Sequence, residues 1–498
     1  MSEDTLKSAQ AEPESKTPGG DPQLRRGSVG LGGAVIMSAA LMGPAVSVYF
    51  NPQLVAGFAG AAMPLVMGVS LIASLIVANG VAEMARELPS AGAFYTYVAR
   101  GIGPRSGFVT GILMFLAYAL LVPAELALIG IYSHDILNEY GLAVPWPVIS
   151  LIFAAIMLAL SWRGISGSLK TALTLFSVEV GVILLLSVII LAKGGAQGLT
   201  GAPLLPSSSP SGLSGIALGM VFGVLSFVGF ESAATLGEEV RDPRRHIPRG
   251  IFGAVLLVGV IYVFTTYAEM VGFGTSGVDA LVKDTAPFTT LAAKYAPWLK
   301  LLVGLAGVSS IFAVTMNSHN GIARILFAMG REHMLPPVLA KVHPRHATPS
   351  AAIIANTVFA VVVTLGVGAW VGAFNAYAYL GSLLTLAIIP VYILTNLACI
   401  RFFATVARDR RNVLKHVVLP VLGMLVMLIP IYGLIWPVPA APYNLFPYLV
   451  VLAIVASAVV AWVIGKRQPE RLARAGAVLA AAEVDGGVEE PAVGRDRA

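Results

Sequence analysis

The sequence predicts an all-α membrane protein with twelve transmembrane helices, of which the first and sixth are discontinuous. Its 498 residues are 57% hydrophobic and 12% charged, with a mean hydropathy of +0.82. Too few polar residues are present to cover a water-soluble core, so lipid must be the main solvent. Because about 20 apolar residues cross a hydrocarbon core, we expect twelve spans, at approximately 29–50, 61–82, 107–132, 145–162, 172–192, 214–236, 250–270, 298–324, 351–372, 376–398, 414–435 and 446–465.

Two of these apolar runs are interrupted. Residues 41–45 read LMGPA inside the first run, and residues 228–232 read VGFES inside the sixth. Unwound backbone exposes free N–H and C=O groups at membrane depth, so paired interruptions indicate inverted repeats and a transport site. Spans one to five and six to ten would form a five-plus-five inverted repeat. Spans eleven and twelve would be peripheral.

The basic residues are sorted by loop. The net charge of +6 could suggest binding to nucleic acid, but with twelve spans 28 of the 32 Lys and Arg residues fall on one side of the membrane. The four on the other side are Lys193, Lys283, Lys294 and Lys300. The positive-inside bias therefore predicts a multi-pass protein of the inner (plasma) membrane with both termini cytoplasmic, and no nucleic-acid partner.

Four regions follow from this pattern. Residues 1–27 and 468–498 lack the apolar content to fold and are predicted to be disordered cytoplasmic tails. Residues 28–405 would be the transport core and 406–467 the two peripheral spans. Short amphipathic pieces at 278–282 and 287–295 are predicted to lie over the outer entrance as helical lids.

No cofactor or metal site is predicted. His333, His343 and His346 share a loop but lack a regular metal-ligand spacing. The single cysteine, Cys399, excludes an intramolecular disulfide.

Four stretches of the chain resemble the amino acid, polyamine and organocation (APC) transporter superfamily. The first is PSAGAFYTY at 89–97, which follows the second span. The others are GFESAA at 229–234 with EEVRDPRRHIP at 238–248, RILFAMGRE at 324–332 followed by Leu335, Pro336 and Pro349, and LACIRFF at 397–403. The resemblance covers roughly residues 29–405.

The resemblance implies a LeuT-like fold and alternating access, with substrate bound between the unwound parts of spans one and six. It implies a secondary transporter of amino acids or small organic amines, proton-coupled or exchanging, with small molecule, protons and bilayer as its partners. A polyamine or other organocation permease is an alternative. A non-transporting sensor or a channel on the same fold, and a membrane-embedded enzyme, are the other classes considered, although the short loops leave little room for an enzyme site.

The substrate is predicted to contact both interruptions. Relatives usually bind a substrate carboxylate with a Gly-Ser-Gly segment, where this chain has Gly43-Pro44-Ala45. Proline removes one backbone donor, so recognition of a carboxylate should be weaker here than that of an ammonium group. A plain helix kink is the alternative. The expected substrate-binding residues are Met42, Gly43, Pro44, Ala45, Leu225, Phe227, Gly229, Phe230, Glu231 and Tyr379.

Three acidic residues and one histidine are candidates for coupling or gating. Glu231 lies at the sixth-span interruption, Glu179 in the fifth span and Glu125 in the third. A carboxylate at membrane depth costs about 2.5 to 3.5 kcal/mol unless it is paired, so each is a functional candidate or a hydrogen-bonded structural group. No Lys or Arg lies mid-span to neutralise them, which suits a substrate amine or a proton. His319 is a proton carrier or a polar contact. Sodium coupling would instead need hydroxyls such as those of Ser309, Ser310 and Thr315.

Overall fold

A computed structural model describes residues 30–89, 93–164, 169–235, 240–331, 335–346 and 348–467. The predicted tails 1–27 and 468–498 lie outside these ranges. So do Ser90, Ala91 and Gly92 of the first motif, Glu238 and Glu239 of the second, and Glu332 and His333. The described residues form helices and short turns, and they contain no strand.

Up to residue 200, the described residues form eight α-helices. They are α1 Leu31–Leu41, α2 Pro44–Tyr49, α3 Asn51–Ala59, α4 Met63–Glu87, α5 Ala93–Gly101, α6 Pro104–Glu139, α7 Trp146–Trp162 and α8 Leu169–Ala192. The first predicted span is therefore divided among three helices. Its last piece continues to Ala59, beyond the expected end near residue 50.

From residue 201 onward, the described residues form ten α-helices. They are α9 Gly212–Leu225, α10 Ser232–Thr235, α11 Pro243–Phe273, α12 Val278–Lys283, α13 Pro287–Tyr295, α14 Lys300–Arg331, α15 Ser350–Val371, α16 Ala373–Thr405, α17 Leu419–Ile435 and α18 Phe446–Arg467. The two short segments predicted at 278–282 and 287–295 are helical, as α12 and α13. The short helix α5 was not predicted, and it buries Phe94, Tyr97 and Val98.

Nine helical stretches in the described ranges are long and apolar enough to cross a membrane. The three remaining predicted spans coincide with shorter apolar helices, α1, α7 and α9. Two of these three are short because they stop at the interruptions. Large apolar side chains such as Leu452 and Val362 are more than 60% exposed on the long helices, which suits contact with lipid.

The helices pack in two groups. The first group contains α1, α3, α4, α9 and α11, in which α11 packs along α4 and α1, and α3 and α4 pack on α9. The second group contains α6, α14, α15 and α16, in which the last three pack on α6. Helix α8 contacts both groups through α11 and α14. Both interruptions belong to the first group, and the second group faces them.

Candidate substrate site

The first interruption is built around Gly43. Helix α1 ends at Leu41, Gly43 adopts a left-handed backbone with φ of 56°, and α2 starts at Pro44. A side chain at position 43 would be strained, and its Cβ would lie 2.7 Å from Val314 Cγ2. The carbonyl oxygen freed at Met42 accepts hydrogen bonds from Ser47 Oγ at 2.9 Å and from the Tyr262 hydroxyl at 3.0 Å. Side chains therefore stabilise the unwound backbone.

The second interruption spans residues 226–231. Helix α9 ends at Leu225, and Gly229 has a φ of 107°. The Gly229 N–H donates to Glu231 Oε2 at 3.1 Å, and the Phe230 carbonyl accepts from Ser38 Oγ at 3.0 Å. As at the first interruption, backbone groups that leave the helix ladder find side-chain partners.

The two interruptions lie against each other. A Cβ at Gly229 would lie 3.1 Å from the Leu41 carbonyl oxygen, so only glycine permits this approach. Asn51 of α3 donates from Nδ2 to Ser226 Oγ at 2.8 Å. In turn, the Tyr377 hydroxyl donates to Asn51 Oδ1 at 2.6 Å. These bonds join the first and sixth spans to α16.

A cavity of about 30 Å³ lies between the interruptions. This volume is about that of one water molecule, so the site is closed around little more than solvent in this conformation. Residues from both interruptions and from α6, α14 and α16 form its wall, namely Leu41, Met42, Val46, Ser47, Asn51, Leu121, Ala124, Glu125, Leu225, Val228, Val314, Tyr377 and Gly381. An amino acid or amine could enter only if the two helix groups separated.

Glu125 supplies the acidic group of this cavity. It is 2% exposed, and its Oε2 is buried with no hydrogen-bond partner among the described residues. A buried carboxyl oxygen without a partner is costly, which points to a ligand, a water or a proton in the functional cycle. Of the three acids expected in the transport path, Glu125 is the one that lines the cavity.

Glu231 has a different setting. Its Oε1 accepts from the Tyr118 hydroxyl at 2.8 Å, and its Oε2 accepts from the Tyr392 hydroxyl at 3.3 Å as well as from the Gly229 N–H. The carboxyl group is buried and fully used by α6, α16 and the sixth-span interruption. This arrangement suits a group that holds the two helix groups together.

Glu179 lies beside a third set of residues. It is 5% exposed, lies near Ser310, and is within electrostatic range of Tyr49 and Tyr262. The Tyr262 hydroxyl donates to the Met42 carbonyl. Glu179 is thus one residue removed from the first interruption.

The other predicted residues fall into two groups. Met42 and Leu225 line the cavity, whereas Gly43, Pro44, Ala45, Gly229 and Phe230 shape the interruptions behind it. Phe227 packs on Tyr262, with ring centroids 5.4 Å apart.

Two predicted residues lie away from the cavity. Tyr379 packs against Tyr443 and Phe446. His319 pairs with Asn356 at 2.8 Å and with Thr357 at 3.4 Å, between α14 and α15. Both contacts are helix-packing interactions.

Sequence reasoning missed several cavity residues, chiefly Ser47, Asn51, Tyr377 and Val314. Ser47 and Asn51 follow Gly43 by four and eight positions, a helical spacing that places them on one face of the continuing half-helix. That spacing was the available signal. Tyr377 could be found only by knowing which face of α16 turns inward.

The two helix interruptions face each other around a closed cavity, and two groups of packed helices surround it. This arrangement is that of a secondary transporter with a LeuT-like fold. The comparison with solved structures agrees on the fold. A variant of the Eremococcus coleocola manganese transporter superposes with a TM-score of 0.54 at 13% identity, covering 89% of this chain and 94% of that one.

Sequence comparisons identify the family. The family described as amino acid permease matches residues 35–469. The low-affinity putrescine importer PlaP of Escherichia coli (strain K12) is 30% identical over 332 residues, which are 64% of this chain and 70% of that protein. The branched-chain amino acid permease BcaP of Lactococcus lactis is 25% identical, covering 81% of this chain and 88% of that one. The chain belongs to the amino acid permease family of the APC superfamily.

Proposed function

We propose that this chain is a secondary active transporter that moves amino acids or small organic amines by alternating access, and that Glu125 binds the ammonium group of the substrate. The observation that carries the proposal is the unpartnered Glu125 Oε2 in the cavity between the two interruptions. An ammonium group would supply the missing donor and compensate the buried charge.

The substrate class follows from the cavity and the relatives. PlaP is named as a putrescine importer and BcaP as a permease of branched-chain amino acids. Their substrates share a protonated amine. Pro44 has no backbone N–H, so the first interruption offers one donor fewer to a substrate carboxylate. Recognition should therefore rest on the amine and on the apolar side chain, which Leu121, Leu225 and Val314 would contact.

We also propose that twelve helices cross the membrane, in a five-plus-five inverted repeat followed by two peripheral helices, with both termini cytoplasmic. The three short apolar helices would then cross as parts of spans one, four and six. The charge sorting supports this topology. Coupling to protons would use Glu179, because this buried acid lies on α8, which packs on both helix groups.

The test uses matched ligands. Purified protein is titrated with leucine and with two of its analogues, and thermal stabilisation is measured. Isopentylamine lacks the carboxylate of leucine, and isocaproate lacks its amine. Putrescine is tested in parallel. Bound ligand raises the midpoint in proportion to RT ln(1 + [L]/Kd). We expect the amine-bearing compounds to bind and isocaproate to be inactive.

The variant Glu125→Gln should weaken binding of the amines about 10- to 100-fold, since a hydrogen bond to a charged group is worth about 1.5 to 3 kcal/mol. Glu139→Gln is the matched control, because Glu139 is on the same helix but pairs with Lys300 at 2.7 Å, away from the cavity. Binding of isocaproate but not of isopentylamine would contradict the proposed role of Glu125.

Saturable uptake and counterflow in vesicles would separate a transporter from a channel or sensor.

A further inference from the structure

A hollow lined almost entirely by arginine lies at the ends of α4 and α11. Its volume is about 340 Å³, and its lining residues are Arg86, Glu87, Arg244, Arg245, Arg249 and Arg410. It is separate from the substrate cavity and shares no lining residue with it. Its volume is in the range of small-molecule sites.

Three of the five guanidinium groups already have acidic partners. Arg86 contacts Glu83 at 3.2 Å, Arg410 contacts Glu87 at 2.8 Å, and Arg245 lies 3.6 Å from Asp242. Arg244 and Arg249 have no ion-pair partner within the described ranges. Two positive charges therefore remain unmatched where five arginines converge.

Converging arginine side chains have the charge and the hydrogen-bond donors that bind a phosphate group. The planar guanidinium presents paired N–H donors that bind phosphate oxygens in bidentate fashion. Repulsion among converging arginines is relieved when an anion with two or more oxygens lies between them. The chemistry of the hollow thus favours a phosphate-bearing anion over a simple counterion.

The surroundings favour a lipid as the source of that phosphate. Arg410 lies in the segment between α16 and α17, which also exposes Val406 (65%), Val413 (62%) and Leu414 (58%). These three apolar side chains are within four residues of Arg410 in sequence, and exposed apolar side chains next to a basic segment provide a surface for acyl chains beside the headgroup. This end of the molecule also carries most of the basic residues of the sequence, as expected for the side that faces anionic lipids.

We propose that this arginine hollow binds the phosphate group of an anionic lipid and so connects α4 and α11 to the segment that joins α16 and α17. Helices α4 and α11 belong to one of the two helix groups whose separation opens the substrate cavity, and α16, from which the segment continues, belongs to the other. A bound headgroup that contacts Arg249 and Arg410 together would stabilise the closed arrangement.

The experiment compares the full chain in two kinds of nanodisc, one of phosphatidylcholine alone and one that also contains phosphatidylglycerol. The readouts are the thermal midpoint of unfolding and the lipid retained by the protein, which native mass spectrometry measures. Phosphatidylglycerol should raise the midpoint and be retained selectively. The double variant Arg244→Gln/Arg249→Gln should weaken retention about tenfold or more, while leaving the three ion pairs in place. Arg105→Gln is the matched control, because Arg105 is also exposed and also follows the proline that begins a long helix.

A further arm titrates inorganic phosphate in phosphatidylcholine alone. Stabilisation by free phosphate, equal to that by phosphatidylglycerol and lost in the double variant, would overturn the lipid assignment in favour of a soluble anion. Retention of phosphatidylglycerol by the double variant at the wild-type level would overturn the site itself. Neither readout depends on transport, so the outcome is independent of whether Glu125 binds an amine.

Discussion

At the residue scale, Glu231 is the carboxyl group that bonds to both helix groups. Its carboxyl group accepts from Tyr118 of α6, from Tyr392 of α16 and from the Gly229 N–H at the interruption. Two of these elements belong to one helix group and the third to the other. Breaking these bonds should accompany opening, so the carboxyl acts on access to the cavity while lying outside its wall.

We expect Glu231→Gln to reduce uptake about tenfold or more while the protein remains folded, with a loss of stability of about 1 to 3 kcal/mol. The amide keeps the size of the side chain, but its NH₂ group cannot accept from the tyrosines or the Gly229 N–H. Uptake in vesicles and the thermal midpoint are the measurements. Tyr118→Phe, which removes a single donor, should have a smaller effect. Wild-type uptake by Glu231→Gln across the pH range would reduce Glu231 to a cap of the broken helix.

At the scale of elements, the lid helix α13 packs on the first span. Phe288 stacks on Tyr49, with centroids 4.9 Å apart and an interplanar angle of 14°, and Thr289 bonds to the Tyr132 hydroxyl at 2.9 Å. Tyr132 also packs edge-on against Phe50. These aromatic rings lie between the lid and the half-helix that leads to the cavity.

Phe288→Ala should therefore make the cavity more accessible from the lid side. In a Cys399→Ala background, a cysteine replacing Leu121 on the cavity wall should react severalfold faster with a membrane-impermeant thiol reagent once the ring is removed. The control Trp298→Ala removes an aromatic ring that is 71% exposed near the same lid. Equal labelling rates in the two variants would show that the stacked ring is no barrier.

At the scale of the whole molecule, α8 contacts both helix groups. Glu179 on this helix lies near Ser310 of α14 and within electrostatic range of Tyr262 of α11. A change in its protonation would act on both groups at once. That is the requirement for coupling a proton to a conformational change, since an ion shifts an equilibrium only through different interactions in the two states.

Uptake should accordingly rise with an inward proton gradient and be unaffected when choline replaces sodium. Glu179→Gln should abolish the dependence on the gradient, whereas Asp279→Asn, a change to an exposed acid on α12, should leave it intact. The measurement is initial uptake in vesicles at imposed pH differences. A strict sodium requirement would refute proton coupling and direct attention to Ser309, Ser310 and Thr315.

Particular residues show why only part of the candidate site was predictable. The interruptions at Gly43 and Gly229 were visible because glycine and proline act on the backbone locally, whatever surrounds them. Tyr379 was expected to contact the substrate, whereas Tyr377, two positions earlier in the same apolar helix, lines the cavity. Two positions along an α-helix are about 200° apart, so the choice depends on which face α16 turns inward.

The sequence by itself determined that the chain is an all-helical membrane protein of the permease family, with interruptions in the first and sixth spans and short helical segments at residues 278–282 and 287–295. These properties depend on composition, local backbone chemistry and motifs. Only the tertiary structure decided which acid lines the cavity, that Glu231 is bonded to Tyr118 and Tyr392, and that five arginines meet at one hollow. Those residues are far apart in the chain, and their meeting depends on the rotation and packing of long helices whose hydrophobic surface is nearly uniform around the axis.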